Sequence, residues 1–190
     1  MVTGPSARPR LVPFTEMELV PGLRQGFCSA AVALAAGLAF GAFMALADAT
    51  VLRPWVPAVQ HRMLATMSLG ERLGWFLPGA LKDEIVLRFA AFWPLLWLVA
   101  CLRGRADRFG AAVAIVLVAF VAFPLSAAGY FQALAWNGGT VLREVVLHGG
   151  AGLLWGWLSW RHGWTAGAIG HCAAHLPLQF LLQVLPALAN

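Results

Sequence analysis

Charge is scarce in this chain: Asp, Glu, Lys and Arg make up 11% of its 190 residues, against about 25% in an ordinary soluble domain. A surface so poor in ions does not keep a domain of this size in water, which excludes a free soluble globule. Disorder is excluded by the same numbers, because 61% of the residues are hydrophobic and a chain that apolar collapses. Cysteine is scarce too. Cys28, Cys101 and Cys172 are odd in number, form no CxxC pair and each lie in an apolar run. That pattern excludes a disulfide framework and reads as three buried small hydrophobes. A basic stripe is also missing. The net charge of +5 comes from basic residues scattered between apolar runs, which speaks against nucleic acid as a partner. It speaks for a lipid bilayer, where basic residues bordering apolar segments set orientation.

What the chain has in quantity is apolar sequence, with a mean hydropathy of +0.76. Five stretches approach the roughly 20 residues that cross a bilayer core: 26–47, 81–102, 109–128, 145–160 and 164–185. The expected fold is therefore all-α, a multi-pass transmembrane helical bundle of about five spans. Residues 1–25 read as a loose polar tail, with three prolines before Phe14. Residues 26–47 read as the first transmembrane helix, longer than the apolar core of about 7 to 15 residues in a signal peptide and hence retained. Residues 48–79 hold Arg53, Pro54, Pro57, Arg62, Glu71, Arg72 and Pro78 and read as an extramembrane or interfacial segment. Residues 80–190 form the remaining helical core.

With the N-terminus inside, Arg8, Arg10, Arg24, Arg103, Arg105, Arg108 and Arg161 fall on the inner side. Arg53, Arg62, Arg72, Lys82 and Arg143 fall outside. Trp155, Trp157, Trp160 and Trp164 surround the last turn, as an interfacial belt or as packing between helices.

Ionisable groups inside apolar runs are the informative residues of a membrane chain, because burying them is expensive. The first group is Lys82-Asp83-Glu84-Ile85-Val86-Leu87-Arg88, in which Glu84 and Arg88 share a helix face and can pair. An ordinary helix-start cluster looks the same. The second is His171-Cys172-Ala173-Ala174-His175, an i, i+4 pair that can present two ligands to one metal or make two interhelical hydrogen bonds. The third is Arg143-Glu144 with His148, above a Gly152 and Gly156 ridge that admits a close neighbour. His148 is either a headgroup-level residue or a secondary candidate that looks into a crowded interface. His61 and His162 read as solvated, and Tyr130, Gln132 and Asn137 as loop or interface residues.

The order of these motifs resembles the CPBP family of intramembrane proteases, which includes the CAAX prenyl endopeptidases and the bacteriocin-processing and immunity proteins. Asp83-Glu84-Ile-Val-Leu-Arg88 is similar to the family's Glu-Glu-xxx-Arg motif, and His171-Cys-Ala-Ala-His175 to the first half of its His-xxx-Asn/Asp motif. The run from Gly150 to His171 looks like the family's final pair of helices. The likeness covers about Gly79 to Leu185. It departs at the second motif, Phe-xxx-His, where Phe123-Pro-Leu-Ser-Ala127 ends in alanine.

The resemblance implies hydrolysis of a peptide bond in a membrane-anchored protein or peptide, of the CAAX type or in a C-terminal tail, in a prokaryotic cell membrane. Glu84 would be the general base toward water, and Arg88 would hold Glu84 and Asp83. His171 would stabilise the oxyanion or position the water, with His175 in the place of Asn or Asp. A zinc site of His171, His175 and Glu84 and a metal-free glutamic mechanism are both compatible with it. Two other classes compete: a catalytically inactive relative acting in immunity or as a scaffold, and a small transporter subunit whose polar path is Glu84, Arg88, His148 and His171. For Glu84 and His171 to meet at one depth, the second helix must start nearer Trp75 or the last helix must shift outward.

Overall fold

The computed structural model of the protein describes residues 23–105 and 107–188. The expected polar tail, residues 1–25, lies outside the described residues except for its end, where Leu23 opens α1. In chain order the helices are α1 (Leu23–Ala49), α2 (Ala58–Thr66), α3 (Leu69–Arg103), α4 (Arg108–Ser126), α5 (Ala128–Gln132), α6 (138–162) and α7 (Trp164–Leu188), and no strand occurs among the described residues.

Among the described residues four helical stretches are long and apolar enough to cross a membrane: Gly26–Ala49, Leu69–Arg103, Arg108–Ser126 and Trp164–Leu185. The expected fourth span lies in α6, which is not among them; its glycines, His148, Arg161 and His162 dilute the apolar run. Phe27, Phe89, Leu98, Phe109 and Phe180 are exposed on the outside, while Asp48, Arg72, Glu84, Arg88, Arg143 and Glu144 are buried. A bundle with apolar skin and buried charge is built for lipid, and the protein is an integral membrane protein.

Helix α3 begins at Leu69 rather than Leu81. Ser68 caps it, accepting from the Glu71 amide, while the Glu71 carboxylate accepts from the Ser68 amide, a reciprocal box that satisfies two free donors of the first turn. The early start places Glu84 near the middle of a 35-residue helix.

Three helices contain π-helical turns: Ile85–Phe92 in α3, Val118–Ala122 in α4 and Val145–Gly149 in α6. The first two have a local cause. Pro94 and Pro124 follow them closely, each lacks an N–H and crowds the carbonyl four residues back, and a wider turn relieves both.

Close packing depends on small residues. A Cβ at Gly37 would collide with the Gly170 carbonyl, and one at Gly41 with the Ala174 carbonyl, so this ridge lets α1 lie backbone to backbone on α7. The expected Gly152 and Gly156 ridge meets Ala119 and Ile115 of α4. Gly104 and Gly163 end α3 and α6 at φ of 69° and 86°, where a side chain would be strained.

The cysteines are free, with Cys28 exposed and Cys101 and Cys172 partly buried. The expectation that all three are buried fails because Cys28 lies on the outward face of α1, where an apolar side chain has lipid as its solvent.

Candidate functional site

Glu84 and Arg88 lie on one face of α3 and are both buried, at 0% and 1% exposure. Arg88 Nε donates to Glu84 Oε2 at 3.3 Å and Nη2 to the Gly152 carbonyl of α6 at 3.2 Å, while Nη1 has no partner. Asp83 forms an ion pair with exposed Lys82 at 3.8 Å, while Arg88 pairs with Glu84.

The second oxygen of Glu84 is taken by α7: His171 Nδ1 lies 3.0 Å from Oε1, across 87 positions of sequence. A carboxylate oxygen accepts, so with Nδ1 as the donor of this bond the other ring nitrogen, Nε2, is left for a further partner. Gly167 makes room for this closure, because a Cβ there would collide with Ser159 Oγ and stand 3.0 Å from Glu84 Oε2.

A row of rings fixes the imidazoles. Trp155, His171, His175 and Phe76 stack in succession at 5.7, 5.3 and 5.1 Å. His175 Nδ1 is buried without a partner. The expected zinc set is not assembled: His171 spends Nδ1 on Glu84, the two imidazoles stack face to face, and no metal-holding group of three His, Cys, Asp or Glu occurs among the described residues. Glu84, His171 and His175 as arranged do not fit zinc, whose tetrahedral site needs ligands converging on one point.

Asp83, His171 and His175 line a cavity of about 440 Å³. The same cavity reaches Asp48, Gln60, Tyr130, Arg143 and His148, a second polar cluster built from four helices. Arg143 donates to both oxygens of Asp48 at 2.8 and 2.7 Å, to Gln60 Oε1 at 2.9 Å and to Glu144 at 2.7 Å. Tyr130 donates to Glu144 at 3.0 Å; burial and that carboxylate push its phenol above the usual range. His148 Nδ1 lies 2.5 Å from Glu144 Oε2 and its ring stacks on Phe123 at 5.6 Å. His148 lines the same cavity as His171.

Arg143, Glu144 and His148 were visible in the sequence as one group, but their partners Asp48, Gln60 and Tyr130 were not. Asp48 looked like a span end and Tyr130 like a loop residue, because contacts between chain-distant helices leave no local spacing. Gln179 and Arg72 also line the cavity; the first carried no signal beyond polarity in an apolar run, and the second read as part of the extramembrane or interfacial segment. His61 is exposed as expected. His162 is partly exposed, with its Nδ1 3.1 Å from Ser29 Oγ of α1. Comparison with protein-family models, curated proteins and solved structures gives no match for this chain.

Proposed function

We propose that the protein is a CPBP-type intramembrane endopeptidase, cutting a peptide bond in a membrane-anchored protein or peptide. On this reading it is a multi-pass protein of a prokaryotic cell membrane. The observation that carries the reading is the contact of His171 with buried Glu84 at 3.0 Å beside a cavity.

The geometry favours a division of labour different from the one the motifs imply. Both oxygens of Glu84 are engaged, and the residue is fully buried, so His171 takes the part of general base and Glu84 positions it. Nε2 of His171 accepts a proton from water as the oxygen adds to the scissile carbonyl carbon. The tetrahedral intermediate collapses with rupture of the C–N bond, and His171 returns the proton to the departing amine. The product is a carboxylic acid and a free amine. Asp83 and His175 border the same cavity and contact the bound peptide.

Co-expression of membrane-anchored substrates with wild type, Glu84→Gln and His171→Ala tests this. Processing by the wild type alone is the expected result; equal processing by all three rules out an enzyme acting through these residues. Ala127, standing where the second motif has histidine, favours one other reading, a silent relative that binds a membrane partner. It predicts co-purification of that partner with wild type and both variants and processing by none.

A further inference from the structure

Among the described residues three arginines are buried to 2% exposure or less, Arg72, Arg88 and Arg143. Two of them have carboxylates: Arg88 has Glu84, and Arg143 has Asp48 and Glu144. Arg72 has none. Its Nε donates to Gln179 Oε1 at 3.2 Å, Nη1 to the Met67 carbonyl at 2.7 Å, and Nη2 to the Gln179 carbonyl at 3.2 Å and Gln183 Oε1 at 3.0 Å. All four acceptors are neutral, and no carboxylate pairs with it among the described residues.

A buried cation with no counter-charge among the described residues is expensive. Position makes it worse: Arg72 lies in the first turn of α3, after the Ser68 cap, where the helix dipole already favours anions over cations. Such a charge persists when something outside the fold neutralises it.

Arg72 and Gln179 both line the cavity. With Gln179 Oε1 turned to the guanidinium, the amide NH₂ faces away as a further donor. Nη1 also keeps one hydrogen beyond the bond to Met67. The surroundings are otherwise apolar, including Met44, Met63, Leu64, Leu178 and Leu182. Trp75, one turn along α3, is exposed, as a ring at headgroup depth would be. Donors grouped at one place and apolar walls beyond it suit a ligand with an anionic head and a hydrocarbon tail.

We propose that Arg72 and Gln179 form a binding site for the phosphate of an anionic phospholipid, whose acyl chain occupies the apolar part of the cavity. The lipid supplies the counter-charge that the described residues do not. This does not rest on the peptidase reading and holds whether or not the protein cuts peptides.

The test uses the full chain in a neutral detergent, titrated with phosphatidylglycerol, phosphatidylcholine of the same chains, or inorganic phosphate, with binding read by native mass spectrometry and Tm. Phosphatidylglycerol is expected to bind and raise Tm, and the other two to do so at least about tenfold more weakly. Arg72→Gln is expected to weaken phosphatidylglycerol binding by about tenfold or more while raising the lipid-free Tm, because the unpaired charge is gone. Gln179→Leu keeps the guanidinium and is expected to lose a smaller part of the affinity, which keeps the test open if the first variant fails to fold. Equal binding by wild type and both variants overturns the proposal, and so does equal stabilisation by phosphatidylcholine. The same Tm rise with inorganic phosphate alone overturns the lipid assignment. Glu16 and Glu18 are the chain's own alternative anions; a Glu16→Gln/Glu18→Gln variant that binds phosphatidylglycerol about tenfold more tightly would make them the native partner and overturn it as well.

Discussion

Glu84 makes two contacts that separate its two jobs. One oxygen neutralises Arg88 and the other orients His171. Removing the carboxylate leaves a guanidinium buried with only the Gly152 carbonyl, so Glu84→Ala is expected to cost about 3–5 kcal/mol of stability, read as a drop in Tm in detergent. Glu84→Gln/Arg88→Met removes both charges and keeps the volume, and its Tm is expected to return to within about 1–2 kcal/mol of wild type, with no recovery of processing. A double variant as unstable as Glu84→Ala would show that the charge pair is not the source of the loss. The face shared by Glu84 and Arg88 was legible from their spacing alone, since 3.6 residues per turn brings positions four apart together. The partner on α7 was suggested by motif order, but the 3.0 Å contact was not derivable from it.

At the scale of the helix, close approach decides more than hydropathy does. Helix α1 reads as a plain apolar span, and nothing in its periodicity singles out Gly37 and Gly41. Both abut the α7 backbone, at the Gly170 and Ala174 carbonyls, within a few residues of His171 and His175. Gly41→Leu is expected to destabilise the protein by about 1–3 kcal/mol through overpacking. Gly74→Leu, at a position open to its surroundings, is expected to leave Tm nearly unchanged, and equal effects of the two would count against backbone contact. Charged and proline residues between 48 and 79 read as an extramembrane or interfacial segment; the Ser68 and Glu71 box starts a helix within it, and Arg72 and Pro78 are carried in that helix.

Across the whole molecule, polar groups distant in sequence tie the bundle together. Asp48 of α1 and Arg143 of α6 are 95 positions apart and meet through two hydrogen bonds, with Gln60 of α2 and Tyr130 of α5 completing the knot. Arg143→Met leaves Asp48 and Glu144 as buried carboxylates short of a cation, and a loss of about 3–5 kcal/mol is expected. Faster limited proteolysis between α1 and α3 should accompany it; an unchanged digestion pattern would deny that the knot holds α2 in place.

Composition and apolar run length were enough to establish an all-α membrane bundle and the approximate position of most of its helices, because the cost of placing polar backbone in hydrocarbon leaves few alternatives. They were also enough to pick out Glu84, Arg88, His148, His171 and His175 as anomalies. Which anomalies touch, which cation goes without an anion and which helix is too polar to count among the apolar spans depended on packing. Those properties arise from contacts between helices far apart in the chain, where glycine gaps and single side chains set the distances, and no local pattern encodes them.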